Sequence, residues 1–195
     1  MPGSEQTQAF DIDDRGTVVG DYLDGDGGGH GFIWSRGRVA TVDVPGAIAT
    51  TITAVNDRGE TAGLYVDTER AFHGFFRSAR GRVTTIDAPD VLITLPLDLN
   101  NRRQIVGITT TAPSLGPDNN EVHGFLLGAG KDGRFTRIDI PGATDTGASA
   151  ITDRGRIVGV YQRPTTVPSA QRGHAYAPMK GALSALVRMN GGVDP

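Results

Sequence analysis

The chain has 195 residues, with 28 glycines, 11 prolines, no cysteine and a formal net charge of −3 at pH 7. That length supports one domain with its own core, and the missing cysteines exclude disulfides and thiolate chemistry. No basic stripe speaks for a nucleic-acid partner, and no run reaches the roughly 20 apolar residues that cross a bilayer.

The chain opens Met1-Pro2-Gly3-Ser4-Glu5-Gln6, without a basic start or an apolar run. That predicts a cytoplasmic protein with no signal peptide. Four internal repeats then follow, at about 2–46, 47–90, 91–142 and 143–190, within a single domain spanning 1–195.

The first repeat carries Thr7, Ile12-Asp13-Asp14-Arg15-Gly16, Val18-Val19-Gly20, His30-Gly31-Phe32 and Thr41-Val42-Asp43-Val44-Pro45-Gly46. The second carries Thr50, Val55-Asn56-Asp57-Arg58-Gly59, Thr61-Ala62-Gly63, His73-Gly74-Phe75 and Thr85-Ile86-Asp87-Ala88-Pro89. The third carries Thr94, Leu99-Asn100-Asn101-Arg102, Ile105-Val106-Gly107, His123-Gly124-Phe125 and Arg137-Ile138-Asp139-Ile140-Pro141-Gly142. The fourth carries Thr146, Ile151-Thr152-Asp153-Arg154-Gly155, Ile157-Val158-Gly159 and His174-Ala175-Tyr176, and then runs through Leu183, Ala185 and Val187. The stretch from Lys180 to Met189 aligns as its last strand.

Each repeat reads as four short antiparallel strands. The Asp-Arg-Gly and Asn-Asp-Arg-Gly segments are hairpin turns. Val-Val-Gly and Ile-Val-Gly are buried strands whose Gly admits a second backbone. His-Gly-Phe opens a third strand, and Thr-Thr-Ile-Asp is a fourth, stopped by Pro. The predicted fold is all-β, a four-bladed β-propeller with four antiparallel strands per blade.

The four repeats follow a consensus of Ile-Asn-Asp-x-Gly-x-Ile-Val-Gly, then His-Gly-Phe, then Ile-Asp-x-Pro-Gly-Ala, in that order over nearly the whole chain. This pattern resembles the bacterial HAF-type extracellular repeat. The resemblance implies a propeller-like array of β-repeats that is often secreted, and it implies no particular activity.

In a propeller, the turns after the first strands share one face. The loops 23–29, 66–72, 109–122 and 162–173 share the other, where binding usually sits. The first strands would line the axis with Gln8, Phe10, Thr51, Thr53, Leu95, Leu97, Gly147 and Ser149. Such a lining fits a mainly apolar small molecule oriented by a few hydrogen bonds. Tyr22, Tyr65 and Tyr161 recur after the second strand and would stand at the rim.

The remaining suggestive residues read as structure. The four histidines recur at one position, which keeps them apart, and each is expected to bond a neighbouring loop backbone. The Asp-Arg pairs are turn chemistry. Asp24-Gly25-Asp26-Gly27-Gly28-Gly29 lacks the acidic ligand set of a calcium loop and reads as a flexible loop. It is no phosphate loop either, since no Lys-Ser/Thr follows. Trp34 occurs in one repeat alone. No metal or cofactor is expected.

Two functions fit. The first is a cofactor-independent cyclase or isomerase on an apolar small molecule. By analogy of size and scaffold, its reaction would be a [4+2]-type ring closure in polyketide or polyether biosynthesis. The second is a lectin-like carbohydrate- or ligand-binding propeller, for which equivalent sites between blades are the expected mark. A protein-interaction scaffold is a further option.

Overall fold

The computed structural model describes residues 3–112, 122–129, 133–163 and 174–175. Its first repeat comprises β1 (Gln6–Ile12), β2 (Val18–Leu23), β3 (Gly29–Ser35) and β4 (Arg38–Val42). The second comprises β5 (Ala49–Val55), β6 (Thr61–Val66), β7 (Phe72–Arg77) and β8 (Val83–Thr85). The third comprises β9 (Ile93–Leu99), β10 (Ile105–Thr110), β11 (Val122–Leu127) and β12 (Phe135–Ile138). β13 (Asp145–Ile151), β14 (Ile157–Gln162) and β15 (His174–Ala175) follow. The final strand expected within 180–189 lies outside the described residues.

The protein is all-β. Within each repeat, consecutive strands pair antiparallel. A single parallel bridge, Gly29 to Ala49, joins the first two repeats into one sheet. The third repeat is a four-stranded sheet, and the fourth shows three strands among the described residues. Among the described residues, none of the sheets closes on itself.

The turn chemistry explains the hairpins. Asp13 Oδ1 accepts the N–H groups of Arg15 and Thr17. Asn56 and Asn100 do the same for Arg58 and Glu60 and for Arg102 and Gln104. Such Asx turns satisfy the orphan donors of a tight reversal. Gly16 follows with φ +77°, and Arg103 holds the corresponding place at +62°.

Each first strand bulges beside the Gly of the second strand. The register slips between Ala9 and Asp11, Ile52 and Ala54, and Ala148 and Ala150, and in the third repeat opposite Val106 and Gly107. A Cβ added at Gly20, Gly63, Gly107 or Gly159 would collide with the carbonyl of Gln8, Thr51, Leu95 or Gly147. The repeated glycine is what lets these two strands meet.

The core lies between repeats. Val19 of the first packs with Ile52 and Val55 of the second. Ala62 of the second packs with Leu99 of the third, and Val106 of the third with Ala148 and Ile151 of the fourth. The first strands β1, β5, β9 and β13 pack in succession beside one another. Each junction is also pinned by hydrogen bonds. Thr50, Thr94 and Thr146 accept the N–H of Val44, Ala88 and Ile140 across it. On the turn side, Asp14, Asp57 and Asn101 donate their N–H to Oδ1 of Asp57, Asn101 and Asp153.

Candidate functional site

Among the polar side chains expected along the first strands, Thr51 and Thr53 serve the junctions between repeats. Thr51 donates to Asp21 Oδ2 of the preceding repeat at 2.8 Å. Thr53 donates to the carbonyl of Pro96 in the next repeat at 2.8 Å. Leu95 and Leu97 are half-buried, while Gln8, Phe10 and Ser149 are exposed and Gly147 is buried.

Two carboxylates among these strands went unremarked in the sequence. Asp11 Oδ2 accepts the Val55 N–H, and Asp98 Oδ2 accepts the Ile151 N–H, each across a junction. Burial pushes both carboxyl groups above the usual range, and the Asp11 charge adds to the rise at Asp98. The pattern that reveals them is the alternation Asp11, Ala54, Asp98, Ala150 at one position of the first strand.

Two of the rim tyrosines, Tyr22 and Tyr65, belong to clusters with the histidines. Tyr22 stacks on His30 with ring centres 5.1 Å apart, and Tyr65 on His73 at 4.9 Å. Their hydroxyls meet Thr41 and Thr85, each at 3.0 Å. Tyr161 lies under the Arg163 guanidinium, 5.3 Å from the ring centre.

The expectation of a backbone partner for each histidine is corrected. His30, His73 and His123 bond carboxylates of Asp43, Asp87 and Asp139, and His30 and His73 also bond Asp24 and Asp67. The side chain of His174 lies outside the described residues. The flexible-loop reading of 24–29 is corrected with it. Asp24 Oδ1 accepts the N–H of Asp26 and Gly28, so the segment is a hydrogen-bonded turn. Asp67 repeats this with Glu69 and Ala71. The spacing Asp24 to His30 and Asp67 to His73, six residues each, carried the signal. Trp34 faces Val39 across β3 and β4, and both are exposed.

Among the described residues, three grooves open between repeats. One groove of about 510 Å³ has the linker Thr41 to Pro45 on one wall and Tyr65, Arg77, Val83 and Thr85 on the other. Its counterpart at the next junction is about 560 Å³, between Ala88 to Val91 and Thr109, His123, Phe135 and Arg137. A third groove of about 870 Å³ opens between the same two repeats, among Phe76, Ile86, Arg103, Ile105, Leu127 and Phe135. Of the site residues expected from sequence, Tyr65 alone lines one of these three.

No family model matches the chain, and no curated protein or solved structure does either. Among the described residues, no group of three or more His, Asp or Glu is arranged to hold a metal ion. No helix there is long and apolar enough to cross a membrane.

Proposed function

We propose that this protein binds a polar, hydroxyl-bearing small molecule, carbohydrate in class, in the grooves between consecutive repeats. The observation that supports this is the recurrence of one groove at two junctions, built from equivalent pieces. Each pairs a linker of one repeat with the outer strands of the next. Thr41, Asp43, Tyr65, Arg77 and Thr85 offer donors and acceptors along the first. Such convergent polar groups in a concave site suit a ligand rich in hydroxyls.

A thermal-shift screen tests it. Ligand at 100 times its dissociation constant adds about 2.7 kcal/mol, or roughly 5–11 °C at about 2–4 °C per kcal/mol. Simple or polymeric sugars should raise the midpoint, and Arg77→Ala, which alters the first groove, should reduce the shift. No sugar effect, or one indifferent to Arg77→Ala, sinks the reading.

The cyclase is the second reading, favoured by Asp11 and Asp98. Two half-buried carboxyl groups with raised pKa near Phe10 and Leu97 suit proton transfer to an apolar substrate. It needs a shift with polyenes or tetronates that Asp98→Asn removes. A cytoplasmic location goes with the cyclase and secretion with the sugar-binding form. The resemblance to HAF-type repeats and the reading of the four repeats as propeller blades stand as proposals beside both.

A further inference from the structure

His30 and His73 are held in a way that a neutral imidazole cannot satisfy. Nδ1 of His30 lies 2.9 Å from Asp43 Oδ1, and Nε2 lies 3.1 Å from Asp24 Oδ2. For His73 the distances are 2.8 Å to Asp87 Oδ2 and 3.2 Å to Asp67 Oδ2. A neutral imidazole has one N–H and one lone pair, while the imidazolium has two N–H groups, and an ionised carboxylate only accepts. Both sides of each ring are therefore bonded only in the cation. Losing the proton turns a lone pair toward one of the two carboxylates.

The bonds tie separate elements together. Asp24 and Asp67 head the turns that lead into β3 and β7. Asp43 and Asp87 stand in the linkers after β4 and β8. Each histidine thus clamps a turn to a linker, with Tyr22 or Tyr65 stacked on its face. The Asp43 linker is one wall of the first groove, and Tyr65 with Thr85 belongs to the other. The third repeat is built differently: Thr111 stands where the others have Asp24 and Asp67, and Asp139 takes Arg137 as its second partner.

We propose that the His30 and His73 clamps are a pH-operated latch on the walls of the inter-repeat groove, closed while the imidazoles are protonated and released when they lose that proton. The proposal rests on the ligand reading above only for what the latch regulates. The titratable groups facing the rings are Asp24, Asp43 and Tyr22 at His30, and Asp67, Asp87 and Tyr65 at His73.

The direction follows from those partners. The bond to Asp43, then that to Asp24, raises the pKa of His30. At His73 burial pulls down, but Asp87 and Asp67 outweigh it. Asp24 and Asp67 are lowered, chiefly by the N–H groups of Gly28 and Ala71 and further by their histidines. A raised histidine stabilises below its unfolded value and loses that contribution as pH rises through the folded one. The latch therefore opens on the alkaline side. The turns keep their own backbone bonds, so what is released is the tie between turn and linker.

The test is a titration of the full chain by long-range ¹⁵N–¹H spectra of the imidazoles, over about pH 5 to 9. Both nitrogens of His30 and of His73 should carry protons on the acid side. Asp24→Asn should lower the midpoint of His30 alone, and Asp67→Asn that of His73 alone. Amide exchange at 23–30 and 41–46, corrected for its intrinsic pH dependence, should quicken through the same range. Midpoints unmoved by the Asn variants, or corrected exchange flat with pH, would overturn the latch. If one variant fails to fold, the other repeat supplies the same comparison. None of these readouts uses a ligand, so an intact titration without sugar binding removes the ligand reading alone.

Discussion

Glu60 is the residue on which one junction turns. It is fully buried, with Oε1 2.6 Å from Arg103 Nη2 and Oε2 3.0 Å from Asn56 Nδ2. Burial works against its charge, but the bonds from Arg103 and Asn56 outweigh it and hold its pKa low. Asn56 passes the tie on to the Asn100 carbonyl of the next repeat. Glu60→Ala strips a charged hydrogen-bond set and should cost about 2–3 kcal/mol, a Tm fall of roughly 4–12 °C by calorimetry. Because the folded pKa lies below the unfolded value of about 4.3, its contribution is present above that pH and fades as pH falls through the folded value. Arg103 bears a positive φ where other repeats have Gly. Arg103→Gly relieves that backbone strain yet leaves Glu60 without its cation, so Tm should drop. In a Glu60→Gln background the same change should leave Tm level or raise it. A drop of equal size in both backgrounds would show that the pair is not coupled.

At the scale of the element, the bulge at the first strand decides what the second strand tolerates. Gly107→Ala would drive a methyl into the Leu95 carbonyl and the Phe125 ring. Overpacking of this kind costs typically 1–3 kcal/mol and sometimes more, and here the obstacle is backbone. We expect a loss of about 3 kcal/mol or failure to fold, read by urea denaturation. A wild-type midpoint would mean that the bulge rearranges freely. The glycine itself was legible in the sequence, because it recurs at one place in four repeats and strand glycines mark close approach. So were the hairpin turns, whose Asx residues act locally. The histidine clamps were half legible: Asp43 and Asp87 belonged to the repeat, but Asp24 and Asp67 were hidden in a stretch that composition alone marks as loose. Sites between repeats were expected of a binding protein, but apart from Tyr65 the residues that wall the grooves were not legible. The grooves form where the linker of one repeat meets the outer strand of the next, and no local pattern reports that meeting.

For the whole molecule, the first strands β5, β9 and β13 are each covered by the repeat before them. Val55, Leu99 and Ile151 show the result at 5%, 3% and 7% exposed, while Ile12, at the same position of β1, is 63% exposed. β1 is also the most polar of the four first strands, reading Gln-Thr-Gln-Ala-Phe-Asp-Ile against Ile-Thr-Leu-Pro-Leu-Asp-Leu in β9. Among the described residues no repeat covers β1, and its polar face suits contact with water. The substitution costs should therefore be unequal. Leu99→Ala removes buried volume and should cost about 2–5 kcal/mol. Ile12→Ala removes an exposed group and should stay within about 0.5 kcal/mol of the parent. Urea unfolding of the two variants measures this directly. Were Ile12→Ala as costly as Leu99→Ala, β1 would be covered in solution, as a ring of four blades shut by the fourth repeat requires. Unequal costs instead mark β1 as a strand whose outer face meets solvent.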